Sequence, residues 1–315
     1  MLIAFFLLGA GAAFGLMVYN NPVPVDSPSF LPVVQMRITA VGAMLIAATC
    51  QSLATVAFQS VTSNRIITPS LLGFEAIYST VHTATVYFFG VGALLTFSGI
   101  ESFLLQIALM VALCLLLYGW LLGGKYANMQ LMLLVGVIIG TGLKSLSAFM
   151  RRLLAPSEFD VLQARLFGSV NNASRDYFPV AIPLVLIAGT LLIASSQRLN
   201  VLSLGKDVCT NLGINYRRGV IYTLILVSVL MAVSTALVGP LTFLGFLVAT
   251  LAYQAAPTYD HKYVFPMALA IGFVVLTGAY FLMYHVFDAQ GVVSIIIELV
   301  GGVVFLAVIL KKGNL

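Results

Sequence analysis

The stretch QRLNVLSLGKDVCTNLGINYRR, residues 197–218, is a polar and basic insert between two long apolar runs. Its charged residues are Arg198, Lys206, Asp207, Arg217 and Arg218. Charges at this density exclude the insert from hydrocarbon. Leucine, valine and isoleucine recur between them at spacings that predict one or two short helices lying along a membrane surface. The insert is therefore the largest structured face that this chain can offer to a soluble partner.

The composition around this insert is that of a membrane protein. The chain has 315 residues, of which 61% are hydrophobic and 8% charged, and its mean hydropathy is +1.09. Soluble domains carry about 25% charged residues. We therefore predict an all-α polytopic membrane protein, a single transmembrane permease domain over residues 1–315. Its apolar runs, each near the ~20 residues that span a bilayer, cover residues 2–19, 33–58, 71–97, 103–122, 129–150, 178–196, 220–238, 241–256, 264–286 and 292–310.

Ten spans place both termini on the same side of the membrane, and the basic residues indicate which side. If the termini are cytoplasmic, the inner segments hold nine lysines and arginines against two acids, Asp207 and Asp260. The positive-inside rule then makes both termini and the 197–218 segment cytoplasmic. We expect a multi-pass protein of the bacterial inner membrane.

The outer loop at residues 151–177 departs from that rule. It carries Arg151, Arg152, Arg165 and Arg175. An acidic docking partner would explain outer arginines. The alternative is that they pair with acids of the same loop, which are Glu158, Asp160 and Asp176.

Motifs for catalysis are missing from the sequence. The stretch GWLLGGK at residues 119–125 fits the start of a P-loop, but Tyr126 stands where Ser or Thr must hold magnesium. The three cysteines and three histidines form no metal-ligand spacing. We therefore expect no enzyme, no bound metal and no bound cofactor, with energy supplied by a partner or an ion gradient.

A family resemblance begins at residues 59–73, QSVTSNRIITPSLLG. This stretch resembles a helix junction of the FecCD family, the permease subunits of ABC importers for iron-siderophore complexes, haem and cobalamin. Further motifs follow in the family's order: LLVGV at 133–137, LNVLSLGKDVCTNLG at 199–213, VGPLTFLGFLV at 238–248, the pair Asp260 and His261, and GGVVFL at 301–306. Departures are Arg65 in place of a proline, and Ala249 with Thr250 in place of a Pro-His pair.

The resemblance implies a type II ABC importer permease fold and a set of partners. These are a second permease, a paralogue being favoured over an identical copy, two ATPase subunits that use ATP and Mg²⁺, and an extracytoplasmic siderophore-binding protein. Nucleic acid is not among them. GFEA at residues 73–76 is similar to a subset that takes ferric siderophores, including catecholates. Haem and cobalamin remain alternative substrates.

The resemblance also assigns site residues. The ATPase contact is the 197–218 segment, with Leu204, Gly205, Lys206, Leu212 and Gly213 as its centre. Binding-protein docking falls on Arg37 and on the arginines of the 151–177 loop. An ordinary alternative for Arg37 is that it snorkels at a helix end.

The pathway is expected along the fifth span. Its small residues Gly136, Gly140 and Ser145 suit a lining that does not grip the substrate, although such residues are more often helix-packing contacts. The resemblance places the inner gate in the cytoplasmic connection at residues 123–130, where Asn128 and Met129 are the candidates.

Three charged residues lie inside predicted spans: Glu75, Lys144 and Glu298. Intramembrane charge is costly and usually functional. These residues support the main rival hypothesis, a proton-coupled secondary transporter. A third hypothesis, a membrane scaffold that transports nothing, does not account for helix breaks such as Gly239-Pro240.

Overall fold

The computed structural model describes residues 1–18, 28, 30–96, 99–123, 129–286 and 293–312. These residues form fourteen α-helices with short connections. Their bounds are α1 Leu2–Val18, α2 Phe30–Val61, α3 Phe74–Phe89, α4 Val91–Thr96, α5 Ile100–Gly123, α6 Met129–Arg152, α7 Pro156–Leu166, α8 Phe178–Ala194, α9 Ser196–Leu202, α10 Lys206–Asn211, α11 Tyr216–Val238, α12 Leu244–Ala255, α13 His261–His285 and α14 Val293–Lys312. The predicted all-α fold is confirmed, and each predicted apolar run contains a helix of at least 12 residues.

Five helical stretches of the described chain are long and apolar enough to cross a membrane: Phe30–Thr62, Met129–Arg152, Arg175–Ala194, Tyr216–Val238 and His261–His285. Shorter apolar helices lie at Leu2–Met17, Ile100–Leu116, Leu244–Ala255 and Val293–Ala307. The third predicted run differs from a single span. It contains a 3₁₀ turn, then α3, which ends at Gly90, and then the short α4. Glycine commonly ends helices in this way.

The centre of the bundle is α2, which packs against both α11 and α13. From Ala43 onward α2 is buried on nearly all sides. Its polar side chains bond to neighbouring helices: Gln51 Nε2 donates to Ser234 Oγ at 3.2 Å, and Ser52 Oγ donates to the Ala268 carbonyl at 3.0 Å. Gly272 of α13 lies directly against Ser52. Small residues that permit close approach, joined by interhelical hydrogen bonds, are the usual way in which membrane helices associate.

The first helix lies at the edge of this centre and packs mainly along α13. The ring of Phe273 lies against Gly9, and the ring of Phe281 lies against Gly15. Arg37 of α2 closes the end of α1, because its Nη1 donates to the carbonyls of Leu16 and Met17, each at 3.2 Å.

The connection between α11 and α12 leaves backbone at membrane depth. Helix α12 has 12 residues, which span only about 18 Å, short of the ~30 Å hydrocarbon core. The connection between α7 and α8 packs into the break: Ser169 N–H donates to the Val238 carbonyl at 2.7 Å, and Gly168 fits against the backbone of Pro240. Protein rather than lipid thus surrounds this irregular backbone, as it must in a bilayer.

Candidate functional site

The predicted helices of the 197–218 segment are α9 and α10, and we call residues 197–218 the coupling segment. The side of the segment that faces the helix bundle is buried: Leu199, Leu202 and Cys209 are inaccessible to solvent. The side that faces away from the bundle presents Leu204 and Leu212, whose side chains are 61% and 60% exposed. An ordered polar segment that displays two large apolar side chains has the character of a protein-binding surface.

Glycines set the shape of this surface. Gly205 has φ 94° and immediately precedes α10, while Gly213 has φ 73° and follows it. A Cβ at either position would meet no atom within 4 Å. Glycine is therefore favoured here by the left-handed backbone rather than by lack of space. The two turns hold Leu204 and Leu212 at opposite ends of α10. Lys206 begins α10 and is exposed.

Four polar residues connect the coupling segment to the rest of the bundle: Asn200, which belongs to the segment, and Ser60, Asp260 and His261, which do not. We call these four the Asn200 network. Asn200 Nδ2 donates to Asp260 Oδ1 at 2.7 Å. Asn200 Oδ1 accepts from the backbone N–H of His261 at 3.0 Å and lies 2.5 Å from His261 Nδ1. His261 Nε2 lies 2.5 Å from Ser60 Oγ. The network joins α9 to α13 and to the inner end of α2.

The orientation of each group in the network is determined by its neighbour. Because the Asp260 carboxylate only accepts, the amide of Asn200 must point its NH₂ group there and its oxygen at His261. Since that oxygen only accepts, His261 Nδ1 must carry a proton. Hydrogen bonds from the Asn200 amide and from the Lys262 N–H lower the pKa of Asp260. The sequence singled out Asp260 and His261 as a pair, whereas Asn200 and Ser60 lie within longer motifs and were not singled out.

Arg65 fixes the end of α2 to the connection between α12 and α13. Its guanidinium lies 4.6 Å from the ring centre of Tyr253 and 4.7 Å from that of Tyr259. The Arg65 carbonyl accepts from Gln59 Nε2 at 2.7 Å. A cation between two aromatic faces is stabilising, so this residue, which departs from the family's proline, has a packing role of its own.

The predicted docking arginines lie at four places. Arg37 contacts the end of α1, as described above. Arg151 and Arg152 end α6, Arg165 lies in α7, and Arg175 begins a 3₁₀ turn. Within the described residues none of these four loop arginines forms an ion pair with the loop acids. Glu158 instead accepts from the Ala155 N–H at 3.3 Å, and Asp176 accepts from the Ser174 hydroxyl at 3.1 Å.

The predicted pathway residues of α6 fall on two faces. Gly136 and Gly140 are buried against Leu72 and Gly73 and serve as packing contacts. Ser145 is exposed on another face, together with Thr141 and Lys144. Met129 is the first residue of α6 and is partly buried, and Asn128 lies outside the described residues.

The three charged residues inside the predicted spans belong to three different spans, but they lie close together in the structure. Glu75 is buried, and its Oε2 accepts from Thr242 Oγ1 at 3.0 Å. Lys144 and Glu298 are near enough to interact electrostatically with Glu75, and Thr242 also lies beside Glu298. We call Glu75, Lys144, Thr242 and Glu298 the charge cluster. Opposite charges reduce the cost of holding carboxylates in a bilayer, so Lys144 supports both glutamates, and Thr242 is the member that sequence reasoning missed.

Among the described residues, no group of three or more His, Cys, Asp or Glu side chains is placed to hold a metal ion. The P-loop-like stretch ends a helix rather than following a strand: Gly119 and Gly123 both belong to α5. Long apolar helices, joined in one place by a polar segment with two short helices of its own, define a multi-pass membrane protein.

Comparison with known proteins identifies the family. Residues 2–311 match the FecCD transport family. The petrobactin import system permease protein FatC of Bacillus anthracis is 66% identical over 312 residues, which cover 99% of this chain and 88% of that protein. The petrobactin import system permease protein FatD of the same organism is 24% identical over 286 residues, covering 88% and 80%. The chain belongs to the FecCD transport family.

A solved structure gives the fold independently. It is described as a metal-chelate type ABC transporter in an inward-facing conformation, and it superposes with a TM-score of 0.81 at 20% identity, covering 98% of each chain. The chain thus has an ABC importer permease fold. It is a non-catalytic, multi-pass subunit of the bacterial cytoplasmic membrane, as the sequence predicted.

Proposed function

We propose that the chain is a permease subunit of an ABC importer for ferric siderophores, and that catecholate chelates such as petrobactin are its cargo. The observation that carries this proposal is the 66% identity to a petrobactin import permease across 99% of the chain. The aligned region includes all the helices, and this supports a shared cargo class as well as a shared fold.

A second permease would complete the pathway. FatC and FatD are both named as permeases of a petrobactin import system, which supports a paralogue over an identical copy. Helix α6 supports the same arrangement. Only 22% of the residues in its most apolar 18-residue stretch are buried, whereas the corresponding share is 78% in α2 and in α11. Its exposed face carries Thr141, Lys144 and Ser145, which are polar enough to line a passage shared with the second subunit.

Two ATPase subunits would dock on the coupling surfaces of the permease pair and would hold the ATP and Mg²⁺. Leu204 and Leu212 support this, because their exposed side chains gain free energy only when a partner covers them. On the outer face, Arg152 and Arg175 are exposed and have no acidic partner among the described residues. We assign them, with Arg37, Arg151 and Arg165, to docking an acidic face of an extracytoplasmic binding protein.

The experiment is uptake of labelled ferric petrobactin into proteoliposomes that contain this chain, the second permease and the ATPase, with the binding protein supplied outside. Each component is omitted in turn, and haem and cobalamin are offered as competitors. We expect uptake that requires every component and that neither competitor reduces. Uptake of haem or cobalamin in preference to petrobactin would overturn the cargo assignment and leave the importer assignment intact.

The charge cluster favours one alternative, a proton-coupled carrier, because Glu75 is buried and one of its oxygens, Oε1, accepts no hydrogen bond among the described residues. The variants Glu75→Gln and Glu298→Gln distinguish the two mechanisms. An ATP-driven importer retains uptake in at least one of them. A carrier loses uptake in both and transports without ATP when a pH gradient is imposed.

A further inference from the structure

A cavity of about 410 Å³ opens where α8, α9 and α11 meet, at the cytoplasmic end of the bundle. Two arginines from different helices line it, Arg198 of α9 and Arg218 of α11. Its floor is apolar and includes Leu199 and Leu202, and Tyr222 lies one turn beyond Arg218. The cavity thus combines two cations with an apolar wall.

Both arginines are available to a ligand. Their side chains are exposed, and neither guanidinium has a hydrogen bond or ion pair with another described residue. Two guanidiniums that face one cavity without a carboxylate between them repel each other unless an anion lies there. A guanidinium binds phosphate oxygens through two parallel N–H donors, which makes a phosphate group the best match.

Exposed apolar side chains of α8 and α11 lie next to the cavity. Ser195 lines it at the inner end of α8, and Leu191 and Ile187 lie one and two turns deeper on the same face of that helix. Both side chains are exposed. On α11 the order from the cytoplasm inward is Arg218, Tyr222 and then the partly exposed Ile225. Arginine, then tyrosine, then aliphatic residues is the sequence of groups found from headgroup level to acyl chains.

We propose that this cavity binds the headgroup of an anionic phospholipid of the inner leaflet, with Arg198 and Arg218 on the phosphate and the acyl chains along α8 and α11. The inner leaflet supplies anionic lipid to basic pockets between membrane helices. Arg198 and Arg218 lie near the two ends of the coupling segment, whereas its exposed leucines, Leu204 and Leu212, do not line the cavity. The site does not depend on which substrate the transporter carries.

The experiment is native mass spectrometry of the full chain, titrated with phosphatidylglycerol or with phosphatidylcholine of identical acyl chains. We compare the unmodified chain with Arg198→Gln, Arg218→Gln and the double variant. Arg217→Gln is the matched control, since this exposed arginine is adjacent in sequence but does not line the cavity. We expect a preference for phosphatidylglycerol that falls roughly tenfold to thirtyfold in the double variant and is retained in the control.

Three results would overturn the proposal. One is equal retention of the two lipids by the unmodified chain. This comparison needs no variant, so it still tests the proposal if a glutamine variant does not fold. The second is equal loss of phosphatidylglycerol in the control and in the double variant. The third is displacement of the bound lipid by glycerol 3-phosphate or by an ATPase subunit, since the cavity would then be a site for soluble phosphate or part of the protein interface. The variants Arg198→Lys and Arg218→Lys keep the charge, and they should retain more phosphatidylglycerol than the glutamine variants.

Discussion

Truncation of the two exposed leucines of the coupling segment tests how this subunit binds its ATPase. Full burial of a leucine is worth about 1.5–3 kcal/mol, and the side chains of Leu204 and Leu212 are 61% and 60% exposed. If the ATPase covers those fractions, each leucine contributes about 1–2 kcal/mol to binding. The double variant Leu204→Ala/Leu212→Ala should therefore weaken ATPase binding by roughly 30-fold to several hundredfold.

The assay is a fluorescence titration of the purified ATPase onto the permease pair in lipid nanodiscs, followed by ATP-driven uptake with the same variants. Leu153→Ala is the matched control, because this leucine is 56% exposed but follows α6 at the opposite end of the bundle. It should leave ATPase binding unchanged. Unaltered affinity in the double variant, or an equal loss in the control, would refute the reasoning that these two side chains carry the contact.

Three further predictions concern the structure that supports this surface. Asn200→Ala leaves the buried His261 Nδ1–H without its acceptor and should destabilise the protein by about 1–3 kcal/mol, measured as a lower Tm in detergent. Gly168→Ala places a Cβ against a backbone carbonyl of the α11–α12 connection and should prevent accumulation of folded protein, measured by size-exclusion chromatography. The pKa of Asp260 is lowered in the folded state, so its contribution is present above the unfolded pKa of about 3.9 and is lost as the pH falls through the folded pKa. Asp260→Asn should therefore lower Tm near neutral pH, and the difference from the unmodified chain should shrink below about pH 4.

Each of these predictions has a control or a contradicting result. Asn211→Ala alters an exposed asparagine of the same segment and should leave Tm unchanged, so equal effects of the two asparagine variants would argue against the Asn200 network. Gly142→Ala introduces a Cβ into open space and should be tolerated, whereas normal accumulation of Gly168→Ala would show that the α11–α12 connection can move aside. For Asp260, a Tm difference that stays constant from pH 6 to pH 3 would exclude the carboxylate as its source.

The helices and the coupling segment were predictable because their signals are local. A run of about 20 apolar residues indicates a span by itself, and the alternation of charges and leucines between residues 197 and 218 indicated surface helices. The positions at which helices break were harder to predict from the sequence. The run at 241–256 has the composition of a full span, but its first residues belong to an irregular connection, which depends on the α7–α8 connection packed around it at Gly168.

The polar pairs of the site could not be predicted, because they join distant parts of the chain. Ser60 and His261 are 201 positions apart, and Glu75 and Thr242 are 167 apart. No periodicity within a helix encodes such a pair. The small residues of α6 show the same limit: Gly140 packs against α3, whereas Ser145 is exposed, and only the position of the neighbouring helix distinguishes them.

The packing of α1 has a consequence for the order in which the protein assembles during synthesis. Gly9 packs against the ring of Phe273, which the ribosome adds more than 250 residues later. At translation rates of about 5–20 residues per second, α1 waits roughly 15–50 s in the membrane for its principal neighbour. During that interval Arg37, which emerges almost at once, can already hold the end of α1 through the carbonyls of Leu16 and Met17. This arginine would therefore act early in biogenesis, by keeping the first helix beside the nascent bundle until α13 arrives.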